Sequence, residues 1–260
     1  MPFTSYLNYF YSSSPKKIVN KIRNLFKGND RSIIDNPVKF KEFLLSDEYN
    51  ALMTKHLPYN GSYHLYEAQQ ETASYWYRHI DSAKRLGVFR WRGIQRNLKE
   101  ILNLVADPDK KIIDFGGAAC PLGFYSKIVD QLSKDCFGRK VPYQSLSDLP
   151  YETDVIFSSH CLEHVPEIEK ILQLMLKSLK KHGVLVLLLP SFTCERWRVG
   201  IHSHKKFNNH VWTFGLKQTT DLPKGLNNYL NIDELVSKYF LVEKAEYCGD
   251  DSIFMIARKP

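Results

Sequence analysis

The short stretch Ser159-His-Cys-Leu-Glu-His164 gathers two imidazoles and a carboxylate. On a helical turn, His160, Glu163 and His164 stand at i, i+3 and i+4 and share one face. Such a face can take a proton from a reacting hydroxyl, because imidazole is the commonest general base. It can equally be structural, with Glu163 and His164 shaping a loop. Two histidines and a carboxylate also suit a transition metal, but no metal is expected here. A second set of residues lies upstream. Lys111-Ile-Ile-Asp-Phe-Gly-Gly117 is an apolar run ending in an acid and paired glycines, and Lys127-Ile-Val-Asp130 is a shorter run ending in an acid. Glycines let backbone approach a ligand, and an acid at the tip of the next strand accepts hydrogen bonds from ribose hydroxyls. That is the making of a nucleoside crevice. A third set lies between 190 and 225, where Arg196, Trp197, Arg198, His202, His204 and His210 would suit a phosphorylated or sugar ligand.

These groups need elements to position them. Strands are predicted at Lys111–Phe115, Lys127–Asp130, Pro142–Leu146, Asp154–Ser159, Val184–Leu189, Leu241–Tyr247 and Ser252–Arg258, with helices at Glu167–Lys180 and Asn231–Tyr239. The alternation predicts an α/β fold over residues 111–260, a Rossmann-like doubly wound sheet with an antiparallel C-terminal hairpin. Only Ala118–Ser126 separate the first two strands, whereas a parallel crossover needs a dozen residues or more. The first crossover helix is therefore expected to be deleted or cut to one turn, with residues 35–107 lending part of the cover. Residues 31–110 read as a helical N-terminal cap, with helices at Val38–Met53, Tyr66–Leu86 and Trp91–Val105. The last of these carries Ile94, Leu98, Ile101, Leu102 and Val105 on one face, ready to pack on the sheet.

In order and spacing, these motifs resemble a class I S-adenosylmethionine-dependent methyltransferase. The resemblance covers residues 111–260 and hardly touches residues 1–110. It implies S-adenosylmethionine as cofactor. Asp114 would orient the glycine turn at Gly116 and Gly117, Asp130 would bind the ribose, and Ser147 and Asp148 would meet the adenine. Ser158 would stand at the loop beside the methyl donor. His164, His160 and His210 become candidate bases, and His210 heads a His-x-x-x-Phe segment seen after this strand in many glycan and small-molecule methyltransferases. A nicotinamide site would want G-x-G-x-x-G after the first strand, a spacing that Gly116, Gly117 and Gly123 do not meet.

Bulk properties narrow the partners. Five of the eight net positive charges lie in residues 1–27, which hold no acid. A basic amphipathic segment over residues 1–30, with Ile18, Val19, Ile22, Leu25 and Phe26 at near-helical spacing, suits peripheral contact with an anionic membrane. The rest is only mildly basic, and no RNA-binding module is recognisable, which argues against nucleic acid. The five cysteines form no CxxC pair, so neither a disulfide framework nor structural zinc is expected, and a cytoplasmic setting, extending to the inner membrane surface, follows. The reading is an O-methyltransferase acting on a sugar, glycan or other small hydroxylated acceptor, phosphorylated or lipid-linked, of the kind used in bacterial surface-polysaccharide synthesis. An RNA methyltransferase and a non-catalytic methyltransferase-like scaffold are the alternatives.

Overall fold

A computed structural model describes residues 36–47, 97–118, 121–135, 138–194, 197–200, 210–248 and 252–260. The segment 1–30, the helix predicted at Tyr66–Leu86, and Arg196, His202 and His204 lie outside the described residues. Two helices, α1 (Pro37–Leu44) and α2 (Leu98–Val105), precede β1 (Ile112–Phe115), β2 (Lys127–Val129), β3 (Thr153–Ser159), α3 (Ile168–Ser178) and β4 (Leu179–Pro190). After these come β5 (Thr213–Gly215), β6 (Tyr229–Asn231), α4 (Ile232–Ser237), β7 (Leu241–Cys248) and β8 (Ser252–Arg258).

The main sheet runs β2-β1-β3-β4-β8-β7. Its first four strands are parallel, and β8 lies antiparallel to both β4 and β7. The predicted doubly wound sheet and its terminal hairpin are both present. A sheet of this kind must bury both faces, and its residues divide by strand parity. Ile112, Val155, Phe157, Val186, Leu188 and Phe254 pack with Phe40 and Leu44 of α1 and Ile101, Leu102 and Val105 of α2. Ile113, Ile156, Leu185, Leu187 and Met255 pack with Leu172 and Met175 of α3 and Leu235 and Val236 of α4.

The first crossover holds no helix among the described residues. Leu122 is fully buried there, and the Phe124 ring lies 4.8 Å from that of Phe40, centroid to centroid. Thus α1 covers ground that a crossover helix takes in a longer loop. The start of α1 is well specified, since Asn36 Oδ1 accepts from the amides of Val38 and Lys39, both at 3.1 Å, and Pro37 occupies the first turn, where its missing N–H costs nothing.

Two predicted elements need correction. Pro142–Leu146 is not a strand: Tyr143 makes a single parallel bridge to Val129, and the chain then turns into a 3-10 helix at Leu146–Asp148. Pro142 has no amide to extend the ladder, and the Ser145–Asp148 capping box diverts the backbone. The helix predicted to reach Lys180 stops at Ser178, because Leu179 already pairs with Thr153. The ladder shifts register across His182, which has a φ of 61°, and resumes at Val155–Val184.

Candidate active site

The carboxyl edge of β1 and β2 presents backbone held by carboxylates. Asp114 is fully buried at the end of β1, and its Oδ2 accepts the Leu122 amide at 2.7 Å. Gly116 takes a φ of 76°, a region open to glycine at no steric cost. A Cβ there would run into Cys161 Sγ, and a Cβ on Gly117 would strike the Asp114 carboxylate. Asp130 closes the turn from the other side, its Oδ2 accepting from Ala118 N at 3.0 Å and its Oδ1 from Leu132 N at 2.9 Å. Each carboxylate oxygen has a second lone pair, so Asp130 can still receive a ribose hydroxyl while shaping the loop.

The edge of β3 presents side chains held by backbone. His160 follows directly after the strand with a φ of 48°, and a single 3-10 turn comes next at Leu162–His164. The Glu163 side chain is 1% exposed, and its Oε1 lies 3.6 Å from His160 Nδ1, 3.6 Å from His164 Nε2 and 3.8 Å from His210 Nε2. These are ion-pair separations, too long for good hydrogen bonds. Neither Glu163 oxygen accepts a hydrogen bond from a described residue. His210 comes from the far end of the loop after β4. It is fastened there because Glu163 O accepts Val211 N at 2.7 Å and Val165 O accepts Trp212 Nε1 at 2.8 Å. Its ring stacks on Trp197, with centroids 5.3 Å apart, and its Nδ1 meets Trp197 O at 2.9 Å. A carbonyl can only accept, so Nδ1 carries the proton and Nε2 turns toward Glu163.

Burial pushes the Glu163 carboxyl up, but the facing imidazoles, His160 first, outweigh it and hold the group down at about 2. Burial drives His210 the other way, only partly opposed by Glu163, and lowers it to about 4. At neutral pH the acid is ionised and His210 is neutral.

Both sets meet at one point, since Cys161, inside the histidine segment, fills the space above Gly116. His160, Glu163 and His164 come together as their spacing suggests, though through a strand end and a 3-10 turn rather than a helical face, and His210 joins them from the loop after β4. Their exposures differ sharply: 37% for the His160 side chain, 10% for His164 and 2% for His210. Ser158 Oγ, opposite Phe115 in the ladder, is buried with no hydrogen-bond partner among the described residues. Ser147 and Asp148 are exposed, and the Asp148 carboxylate accepts Ser145 N at 2.8 Å within the capping box. Sequence reasoning missed the contacts of Cys161 and Trp197. Nothing in a local pattern marks a cysteine for packing on a glycine, or a tryptophan for supplying a carbonyl.

Residues 125–187, less than half of the chain, match the protein family described as a methyltransferase domain. No curated protein matches the sequence. Among solved structures, an S-adenosylmethionine-dependent methyltransferase from Mesorhizobium loti is similar at 14% identity and a TM-score of 0.43, covering 64% of this chain and 98% of that one. The N-methyltransferase NodS from Bradyrhizobium japonicum WM9, in complex with S-adenosyl-L-homocysteine, is similar at 12% identity and a TM-score of 0.41, covering 64% and 88%. The domain match and the strand order, not these distant likenesses, carry the assignment. Over residues 125–187 the chain matches a methyltransferase domain, and the parallel strand order agrees with that match. The edge of β1 and β2 would suit S-adenosylmethionine: a backbone turn that no Cβ can enter and two carboxylates bracing it, with the buried Ser158 hydroxyl on the adjoining β3.

Proposed function

We propose that the protein methylates a hydroxyl group of a sugar, glycan or similar small acceptor. The observation that carries this reading is the cluster of three imidazoles around buried Glu163, set directly against the glycine turn through Cys161. A hydroxyl needs a base, whereas an amine needs less help. S-Adenosylmethionine supplies a methyl group already activated as a sulfonium. Asp114 and the turn at Gly116 and Gly117 would hold its amino-acid end, Asp130 its ribose, and Ser147 and Asp148 its adenine, with Ser158 facing the same crevice. Exposure selects His160 as the base that meets the acceptor, with Glu163 orienting its ring. His164 and His210 back the carboxylate from inside. Acceptors of bacterial surface-polysaccharide synthesis, phosphorylated or lipid-linked, would suit the cationic loop after β4 and the basic segment 1–30, and would place the enzyme in the cytoplasm or at the inner membrane surface.

The test is transfer from methyl-labelled S-adenosylmethionine to a panel of sugars, nucleotide sugars and lipid-linked glycans, with amines and transfer RNA alongside. O-methyl products defined by NMR, lost in His160→Gln at unchanged S-adenosylhomocysteine affinity, are the expected result. Label appearing only on amines or RNA would overturn it.

A further inference from the structure

Glu163, His164 and His210 together offer one carboxylate oxygen and two imidazole nitrogens, all within 4.8 Å of one another. We infer that these three residues form a binding site for a divalent transition-metal ion of the zinc, cobalt or iron class. The site lies beside the proposed methyl-transfer centre, and its existence does not depend on which acceptor is used.

Ligand distances come first. Metal–nitrogen and metal–oxygen bonds of roughly 2.0–2.2 Å place neighbouring tetrahedral ligands about 3.4 Å apart. Glu163 Oε1 stands 3.6 Å from His164 Nε2 and 3.8 Å from His210 Nε2. Shifts of a few tenths of an ångström bring each of these pairs to ligand spacing, and the two imidazole nitrogens, within 4.8 Å of each other, draw together by rotation of their rings about a shared ion. The orientation of His210 comes second. Its Nδ1–H is directed at Trp197 O at 2.9 Å, the arrangement by which an outer carbonyl fixes the tautomer of a ligating histidine and leaves Nε2 to the ion. The state of Glu163 comes third: its side chain is 1% exposed and no described group donates to either oxygen. Its lone pairs are thus uncommitted among the described residues and available to an ion.

Two imidazoles and a carboxylate are the set that borderline metals prefer over magnesium or calcium. Three protein ligands leave a fourth position open, as in catalytic rather than structural zinc sites. His160 Nδ1, 3.6 Å from the same oxygen on the exposed side, borders that arrangement. The segment 159–164 alone does not reveal the site, because the third ligand arrives from His210, far along the chain.

The experiment uses the full chain, treated with chelator and then titrated with Zn2+ by calorimetry and with Co2+ by visible absorption. One saturable ion per chain is expected, with Co2+ bands of low-coordinate nitrogen and oxygen ligation. Glu163→Gln and His210→Gln should each weaken binding by at least about 10–100-fold. His182→Gln and the double variant His202→Gln, His204→Gln should bind as wild type. S-Adenosylhomocysteine affinity, measured in every variant, reports whether the domain is folded. Wild-type protein that binds S-adenosylhomocysteine but takes up neither metal saturably would overturn the proposal. So would equal metal affinity in the Glu163 and His210 variants, or loss of binding in the His202, His204 pair.

Discussion

On the β1–β2 side of the carboxyl edge, carboxylates hold backbone, and on the β3 side, backbone carbonyls hold the segment and rings that surround a carboxylate. Asp114 and Asp130 spend their oxygens on the amides of Leu122, Ala118 and Leu132, so the surface they shape consists of main-chain groups around Gly116 and Gly117. Across the seam at Cys161 the roles reverse. Glu163 O receives Val211 N, Val165 O receives the Trp212 indole, and Trp197 O meets His210, which leaves the titratable groups facing one another. A backbone cradle reads shape and tolerates only glycine. A side-chain cluster does proton or metal chemistry and tolerates changes of shape better than changes of charge.

The two sides should therefore fail differently. The largest effect is expected from Glu163→Gln, which keeps the shape and removes the charge on which three imidazoles converge. Turnover should fall by about 10²–10⁴-fold, the usual worth of a positioned acid–base group, while calorimetry shows S-adenosylhomocysteine affinity unchanged. A matching loss of cofactor affinity would erase the distinction between the two sides. Gly117→Ala is the mirror experiment. The added methyl meets Asp114, which is fully buried and bonded to Leu122 N, and neither can yield cheaply. Cofactor affinity should drop by about 100-fold, since each 1.4 kcal/mol of strain is tenfold, yet the variant should keep its metal affinity.

The cradle was far more legible in the sequence than the cluster. An apolar strand, a terminal acid and paired glycines are neighbours in the chain, and their geometry is local. Asp114, Gly116 and Gly117 accordingly stand where their spacing implied. The short gap of Ala118–Ser126 likewise holds no helix among its described residues. The cluster depends on a long-range event. His210 reaches Glu163 only because β5 and β6 pair after the loop and the indole of Trp212 finds Val165 O. No period or propensity encodes that. The misread strand at Pro142–Leu146 has the opposite cause, since a local capping box overrode an apolar pattern.

Acid should destabilise the fold through the side-chain cluster. His210 is lowered to about 4 from an ordinary 6.5, so between those values the unfolded chain binds a proton that the folded one refuses. Its contribution is complete above pH 6.5 and is lost as pH falls toward 4, up to about 3 kcal/mol. Glu163, lowered to about 2, contributes above its unfolded value near 4.5 and is lost as pH falls toward 2. Urea unfolding with chelator present, at intervals from pH 7.5 to 4, should show stability falling with acid. In His210→Gln the slope over that window should flatten, and an unchanged slope would move the acid sensitivity elsewhere.

The smallest expected effect separates two uses of one side chain on the cradle side. Asp148 caps the 3-10 turn through Ser145 N, and Ser145 Oγ accepts Ser147 N at 3.2 Å in return. Asp148→Ala and Ser145→Ala each break the box and should each cost about 1 kcal/mol of stability. Only Asp148→Ala also removes a carboxylate oxygen that adenine could use, and one such hydrogen bond is worth roughly 0.5–1.5 kcal/mol, or a few-fold in affinity. If the two variants weaken S-adenosylhomocysteine equally, Asp148 acts through the shape of the turn alone. A further few-fold loss confined to Asp148→Ala would make it the one acid on this edge that touches ligand without first being tied to the glycine turn.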